Sequence, residues 1–510
     1  MKLKKKRGIR IKTRVILTAF WLVIAVAGML LGALTLQNRF LPIFYLFEII
    51  GIITVLYIIN KRENPNYKIA WIAFILLLPV FGLFIYMLWG GQRTFPHLKK
   101  KFNRCEERYM KYLDQDPAIL RLMDFEDSPR SRQATYLRNE SGFPVYKDTS
   151  VKYLSPGEVF MPKLIEELKK AKTYIFIEYF IIADGKMWNE VYKVLKEKAA
   201  QGVEIKVIFD DFGSIKRQHP DFITRLKKAG IEVSVFCPLK PSLNMVMNNR
   251  NHRKIIVIDG NVAFTGGINL ADEYINEYER FGYWMDCAVM ITGSAVESFV
   301  IMFCTMWEYT TGKQILMSGH LLCKPALSDG YVLPYSDSPM DSKSPAEGIY
   351  LQMLNTAHRY VDIATPYLIL DDTMNNAIIL AAKAGVKIRI ITPFIPDKKY
   401  VHPVTQYYYA ELLDAGVEIY EYTPGFIHSK IFLSDDASAT VGTVNMDYRS
   451  FYFHFECGVW FTCEDAIRDI RIHFDDMIKD CKQITKEDWN KRKISAKFKQ
   501  WILHLFSPLM

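Results

Sequence analysis

Two stretches of this 510-residue chain decide its fold: NHRKIIVIDGNVAFTGGINL at 251–270 and IHSKIFLSDDASATVGTVNM at 427–446. Aligned on their histidines, the first carries His252, Lys254, Asp259, Gly266 and Asn269, and the second carries His428, Lys430, Asp435, Gly442 and Asn445. Each reads His-x-Lys-x4-Asp, with Gly and Asn at the same later offsets. The likeness extends upstream. Pro162–Lys172 reads as a helix feeding the apolar run Tyr174–Ile182, as Ala346–Arg359 feeds Tyr360–Leu370; GVEIKVIF from Gly202 is matched by GVKIRII from Gly385, and AGIEV from Ala229 by AGVEI from Ala415. Ala171 to Gly230 is the same distance along the chain as Ala357 to Gly416, after which the first copy is longer, an insertion placed within CPLKPSLNMVMNNRN at 237–251. Short β-rich runs alternating with amphipathic stretches predict an α/β fold. The expectation is two tandem units of mixed sheets flanked by helices, at 130–320 and 330–485, with their motif regions at 247–274 and 423–450, sharing one pseudo-symmetric active site.

The residue types suit chemistry on a phosphodiester. On a strand, alternate residues face one side, so His252 is expected to project with Lys254 and His428 with Lys430. Breaking a phosphodiester needs a nucleophile, an acid for the departing alkoxide and positive charge for the non-bridging oxygens. One imidazole can attack phosphorus and the other can protonate the leaving oxygen. Lys254 and Lys430 can hold the anionic oxygens, and the amides of Asn269 and Asn445 can add neutral donors to the substrate phosphate. Asp259 and Asp435 are expected to support their own motifs, through the imidazole N–H among other routes. Glu178 and Glu456 are candidates to buttress the histidines, whereas His358 and His454, which lack a motif partner, are expected to be structural. Side chains already supply the charge, so neither a metal nor a cofactor is expected.

Composition narrows the class further. The chain is 50% hydrophobic with a formal net charge of +10, which excludes a disordered or collagen-like chain. The charge sits at the ends: Lys2, Lys4, Lys5, Lys6, Arg7, Arg10, Lys12 and Arg14 form a basic leader at 1–14, and Lys491, Arg492, Lys493, Lys497 and Lys499 precede the apolar, aromatic end of a tail at 491–510. The body between them is slightly acidic, which counts against a nucleic-acid surface. The tail has the pattern of an amphipathic segment on an anionic bilayer. Apolar segments at 15–36, 43–60 and 69–89 are expected to be transmembrane helices, the second weakened by Glu48. Basic residues number three between the second and third segments (Lys61, Arg62, Lys68) and five soon after the third (Arg93, Lys99, Lys100, Lys101, Arg104), so three full spans conflict with the rule that basic flanks stay inside. The eight cysteines contain no C-x-x-C pair and read as ordinary buried thiols.

The paired motifs resemble those of the phospholipase D superfamily, and the chain resembles its bacterial cardiolipin synthases. The likeness takes in KRENPNYKIAWIAFILLLPVFGLFIYMLWGG, DDFGS at 210–214, YWMD at 283–286, DYRSFYFHFE at 447–456 and the closing FSPLM. It implies His252, Lys254, Asp259, His428, Lys430 and Asp435 as active-site residues, assisted by Asn269 and Asn445. It further implies a multi-pass protein of the bacterial inner (plasma) membrane that converts two phosphatidylglycerol molecules into cardiolipin and glycerol through a phosphohistidine intermediate, without nucleic acid, metal or cofactor. His252 as nucleophile follows the habit of the superfamily, and the opposite assignment is open at this point, as are hydrolysis of the lipid and a different donor lipid. The charged leader and the 15–36 segment depart from the family's usual two apolar segments.

Overall fold

A computed structural model describes residues 37–507 apart from 62–63, 91–95, 239–248, 322 and 341–343. The basic leader, the segment at 15–36 and most of the insertion within 237–251 lie outside the described residues. The chain divides into two compact units, one N-terminal and one carrying both motif copies.

The N-terminal unit holds three helices, α1 (Gln37–Ile59), α2 (Pro65–Leu77) and α3 (Pro79–Trp89). The segment expected to run unbroken over 69–89 is instead two helices. Pro79 has no N–H to continue the ladder and disfavours helical geometry at the residue before it, and Leu78 sits accordingly at φ −136°, ψ 72°. The two helices fold back on each other. The rings of Trp71 and Tyr86 lie 5.4 Å apart and those of Phe74 and Phe81 6.0 Å, whereas fifteen residues of straight helix would separate the first pair by about 22 Å. Gly82 permits the close approach, since a Cβ there would stand 2.7 Å from the Ile75 Cα. Among the described residues no helix is long and apolar enough to cross a membrane, so the spans expected at 43–60 and 69–89 are not found as single crossing helices.

The larger unit contains the duplication. The first copy supplies strands β1 (Thr149–Leu154), β2 (Tyr174–Tyr179), β3 (Glu204–Asp210), β4 (Glu232–Phe236), β5 (Arg250–Asn251), β6 (Lys254–Ile258), β7 (Val262–Gly266), β8 (Tyr283–Met285) and β9 (Ala288–Gly293). The second supplies β10 (Val332–Asp337), β11 (Tyr360–Ala364), β12 (Lys387–Pro393), β13 (Glu418–Tyr422), β14 (Gly425–Ile427), β15 (Ile431–Ser434), β16 (Ser438–Gly442), β17 (His454–Phe461) and β18 (Cys481–Ile484). The first sheet runs β1-β9-β7-β6-β2-β3-β4 and the second β10-β17-β16-β15-β11-β12-β13, with β18 added at its edge. The orders are the same, strand for strand. In each, the three strands after the helical crossovers are parallel and the rest antiparallel, the mixed sheet expected of each unit. Buried along their lengths, β6 and β15 carry the continuous apolar runs IIVI and IFL. The helix Val296–Thr311 contributes Phe299, Phe303 and Trp307 to the core between the copies.

Two short strands cross from one copy to the other. β5, which precedes His252, pairs in parallel with β17, and β14, which precedes His428, pairs in parallel with β8. All eight cysteines are free thiols; Cys105, Cys287, Cys304, Cys457 and Cys463 are buried, whereas Cys237, Cys323 and Cys481 are partly exposed.

Candidate active site

The crossing strands deliver the two histidines. His252 donates its backbone N–H to the Phe455 carbonyl at 2.9 Å, and His428 donates its own to the Met285 carbonyl at 2.7 Å. Neither histidine lies within a regular strand. Each lies between the short crossing strand and the strand of its own sheet, β5 and β6 for His252, β14 and β15 for His428. Lys254 Nζ donates to the His252 carbonyl at 2.7 Å, and Lys430 Nζ donates to the His428 carbonyl.

Because each histidine is docked on the other copy, its carboxylate partner comes from there. His252 Nδ1 lies 2.9 Å from both Glu456 oxygens, and His428 Nδ1 lies 2.6 Å from Asp286 Oδ2. Glu456 directly follows Phe455, the residue that binds the His252 backbone, and Asp286 directly follows Met285. Both carboxylates are fully buried. The Thr443 hydroxyl donates to Glu456. Of the two glutamates singled out in the sequence, Glu456 buttresses a histidine directly. Glu178 acts at one remove: it accepts from Asn251 Nδ2 at 2.8 Å, while Asp210 accepts the Asn251 backbone N–H at 3.0 Å, so both hold the residue before His252.

Asp259 and Asp435 support their motifs through the backbone rather than through an imidazole. Asp259 accepts the N–H groups of Lys172, Thr173 and Tyr174 at 2.7–2.9 Å, and Asp435 accepts those of His358, Arg359 and Tyr360 at 2.7–2.8 Å. Each stands at positive φ, 52° and 58°, in the turn closing β6 or β15, a conformation that Asp tolerates better than most residues. They fasten the starts of β2 and β11. Asn269 lies buried with Oδ1 accepting the Ile181 N–H at 3.0 Å and Nδ2 donating to Tyr274 Oη at 2.7 Å, and the buried Asn445 Oδ1 has no hydrogen-bond partner among the described residues. The His358 contribution is its backbone N–H. His454, expected to be structural, lies beside the site: its ring is 5.6 Å from that of His252, and its Nδ1 is 3.5 Å from Glu456 Oε1. His252, His454 and Glu456 together place donor atoms within 4.8 Å of one another, a set able to hold a metal ion.

Aromatic rings line both histidines, with Phe180 5.0 Å from His252 and Tyr274 and Trp284 each 5.5 Å from His428. This dry surround sets the protonation. Burial pushes His252 down to about 3. Burial would raise the Glu456 carboxyl, but the charge and hydrogen bonds of His252 and His454 hold it well below the usual carboxylate range. The pair is therefore a carboxylate and a neutral imidazole whose Nδ1–H points at Glu456, which leaves the Nε2 lone pair free. The second pair differs. Burial raises Asp286 to about 7 against the pull of Lys430, while burial and the charges of Lys430 and Lys254 hold His428 well below its ordinary value. Burial also lowers Lys254 to about 7 and Lys430 to about 8. Two lysines this hard to charge without a counter-ion are suited to an anionic guest.

Asp286 is the functional residue that motif spacing alone misses. It sits in YWMD, a stretch picked out only by resemblance, and its role follows from docking between copies rather than from proximity in sequence.

Residues 164–295 and 350–478 match the family described as cardiolipin synthase, phospholipase D-like domain, and residues 49–91 match a phospholipase D-nuclease N-terminal family. The chain is 42% identical to an uncharacterized protein of Streptococcus mutans, covering 90% of this chain and 99% of that protein. It is 34% identical to cardiolipin synthase 2 of Bacillus cereus, over 88% of each chain, and 32% identical to a cardiolipin synthase of Geobacillus kaustophilus, over 96% of this chain and 99% of that one. Among solved structures, a phosphatidylserine synthase of Haemophilus influenzae shares the fold, with a TM-score of 0.54 at 13% identity, covering 74% of this chain and 98% of that one.

Proposed function

The chain belongs to the phospholipase D-like cardiolipin synthase family, and from that premise we propose that it transfers a phosphatidyl group between two phosphatidylglycerol molecules, giving cardiolipin and glycerol. The observation that carries this reading is the reciprocal pairing of His252 with Glu456 and His428 with Asp286. It supplies two imidazoles in two protonation environments at one site.

In the first displacement, His252 Nε2 bonds to the donor phosphorus while the bond from phosphorus to the headgroup glycerol oxygen breaks, and His428 delivers a proton to that oxygen. In the second, a headgroup hydroxyl of the other lipid gives its proton to His428, its oxygen bonds to phosphorus, and the phosphorus–nitrogen bond breaks. One phosphodiester replaces another, so no net energy source is needed. The assignment of His252 as nucleophile is supported by the contrast between the pairs: Glu456 stays ionised and frees Nε2, whereas Asp286, raised to about 7, lets the second pair carry one proton near neutral pH. Lys254 and Lys430, charged by the arriving phosphate, would stabilise its non-bridging oxygens. Asn269 and Asn445 are proposed to assist at the same phosphate. Apolar walls favour a lipid hydroxyl over water as acceptor.

The substrates place the protein at an anionic bacterial membrane. Supporting this, α1 exposes Leu46, Ile49, Ile52, Ile53 and Leu56. The C-terminal helix Ile494–His504 is anchored to its own unit by His504 stacked 3.9 Å on Tyr407, while Phe498 and Trp501 remain 59% and 65% exposed. Purified protein given phosphatidylglycerol alone should release cardiolipin and glycerol in equal amounts. Phosphatidic acid as the main product would show a hydrolase instead.

A further inference from the structure

The hairpin of α2 and α3 has one polar end and one apolar end. At its open end Lys61 Nζ donates to Tyr86 Oη at 3.0 Å and lies 5.0 Å from the centre of the Tyr57 ring, Lys68 Nζ donates to the Ile59 carbonyl at 3.0 Å, and Asn64 caps α2. At its closed end Leu76, Leu77 and Leu78 are 57%, 76% and 48% exposed. At that tip the Leu78 N–H is donated to Phe74 O at 3.1 Å and the Leu78 carbonyl accepts from Gly82 N at 2.5 Å, so the break between the helices keeps part of its backbone hydrogen bonding, and Pro79 brings no N–H to the turn.

We propose that α2 and α3 form a re-entrant hairpin, which enters the hydrocarbon of an anionic bilayer from one face and leaves by the same face. The leucine tip is the inserted part, and the lysines and tyrosines of the open end occupy the headgroup layer, where such side chains concentrate. Length agrees. α2 has 13 residues and α3 has 11, so the hairpin is about 20 Å deep, too short for the ~30 Å hydrocarbon core and more than deep enough for one leaflet.

The proposal also removes the conflict in the charge count. A full span at 69–89 would separate Lys61, Arg62 and Lys68 from Arg93, Lys99, Lys100, Lys101 and Arg104 by a membrane. A hairpin keeps both basic groups on one face, where anionic lipid holds them, with residues 99–104 on the same side as Asn60 and Asn64.

This inference rests on the membrane reading above, and the test separates the two. Full-length protein carrying Asn60→Cys, Leu77→Cys or Lys100→Cys is labelled in sealed, uniformly oriented membrane vesicles with an impermeant maleimide, above the labelling of the parent chain. Positions 60 and 100 should label from the same side, and position 77 only after detergent. A fluorophore at 77 should also be quenched more by nitroxide on lipid acyl chains than on headgroups. Labelling of 60 and 100 from opposite sides, or of 77 from water as fast as 60, would overturn the hairpin while leaving membrane residence intact. Recovery of the protein in the soluble fraction would overturn both.

Discussion

His252 and His428 share a motif yet differ in what holds them: the charge and hydrogen bonds of its histidine neighbours hold Glu456 well below the usual carboxylate range, whereas burial lifts Asp286 to about 7. Glu456→Gln preserves the shape of the acceptor but removes the charge that orients the neutral imidazole and stabilises it as charge develops. The expected result is a fall in kcat of about 10²-fold or more with KM for lipid little changed, measured in mixed micelles. The lysines give the pH dependence its sign. Since Lys254 and Lys430 are lowered to about 7 and 8, raising the pH through that window discharges them and removes phosphate stabilisation. A plot of kcat/KM should therefore fall on the alkaline side from about pH 7 to 8, and Lys254→Arg should move that limb upward, because guanidinium stays charged. Asp259 belongs to stability. Its carboxylate accepts three backbone N–H groups at a positive φ, so Asp259→Ala should cost about 1.5–3 kcal/mol, read from the urea midpoint, with Asp259→Asn recovering part of the loss by tolerating the turn.

At the scale of elements, the short strands β5 and β14 have a role out of proportion to their length. Each is pinned to the other copy and hands a histidine to a carboxylate there. Gly425 shows how closely β14 lies on β8: a Cβ would stand 2.1 Å from the Tyr283 carbonyl oxygen and 2.3 Å from its nitrogen, both backbone atoms that cannot move aside cheaply. Gly425→Ala should push β14 off β8 and shift His428 from Asp286, and a misplacement of about 1 Å can cost about 10²-fold in rate. The check is kcat alongside the urea midpoint, with the rate falling further than the stability. In the N-terminal unit, hydropathy predicts an unbroken helix over 69–89 because apolar residues continue through Pro79. The structure turns there because proline and the residue before it cannot continue the helical geometry, and Gly82 lets the two arms close.

The larger unit is a duplicated sheet, and the proposed active site draws its histidines and their carboxylates from opposite copies. Cutting the chain at the exposed Leu327 should leave two fragments, each without activity, because each keeps a histidine and loses its carboxylate; co-expression should restore turnover, measured as cardiolipin formed per mole of paired fragments. Much of this molecule was legible in the residues. The two motifs, the matched strands and helices and the identities of His252, Lys254, His428 and Lys430 follow from local pattern, because periodicity and repeated spacing are written along the chain and determine strands, crossovers and reactive side chains. Glu456 was a candidate buttress in the sequence, but which histidine it serves, and the role of Asp286, were not legible. His252 and Glu456 are 204 residues apart and His428 and Asp286 are 142 apart, and no local signal ties residues so distant. Only the docking of one copy on the other chose those partners, buried them until their protonation separated, and left Asp259 and Asp435 to fasten strands.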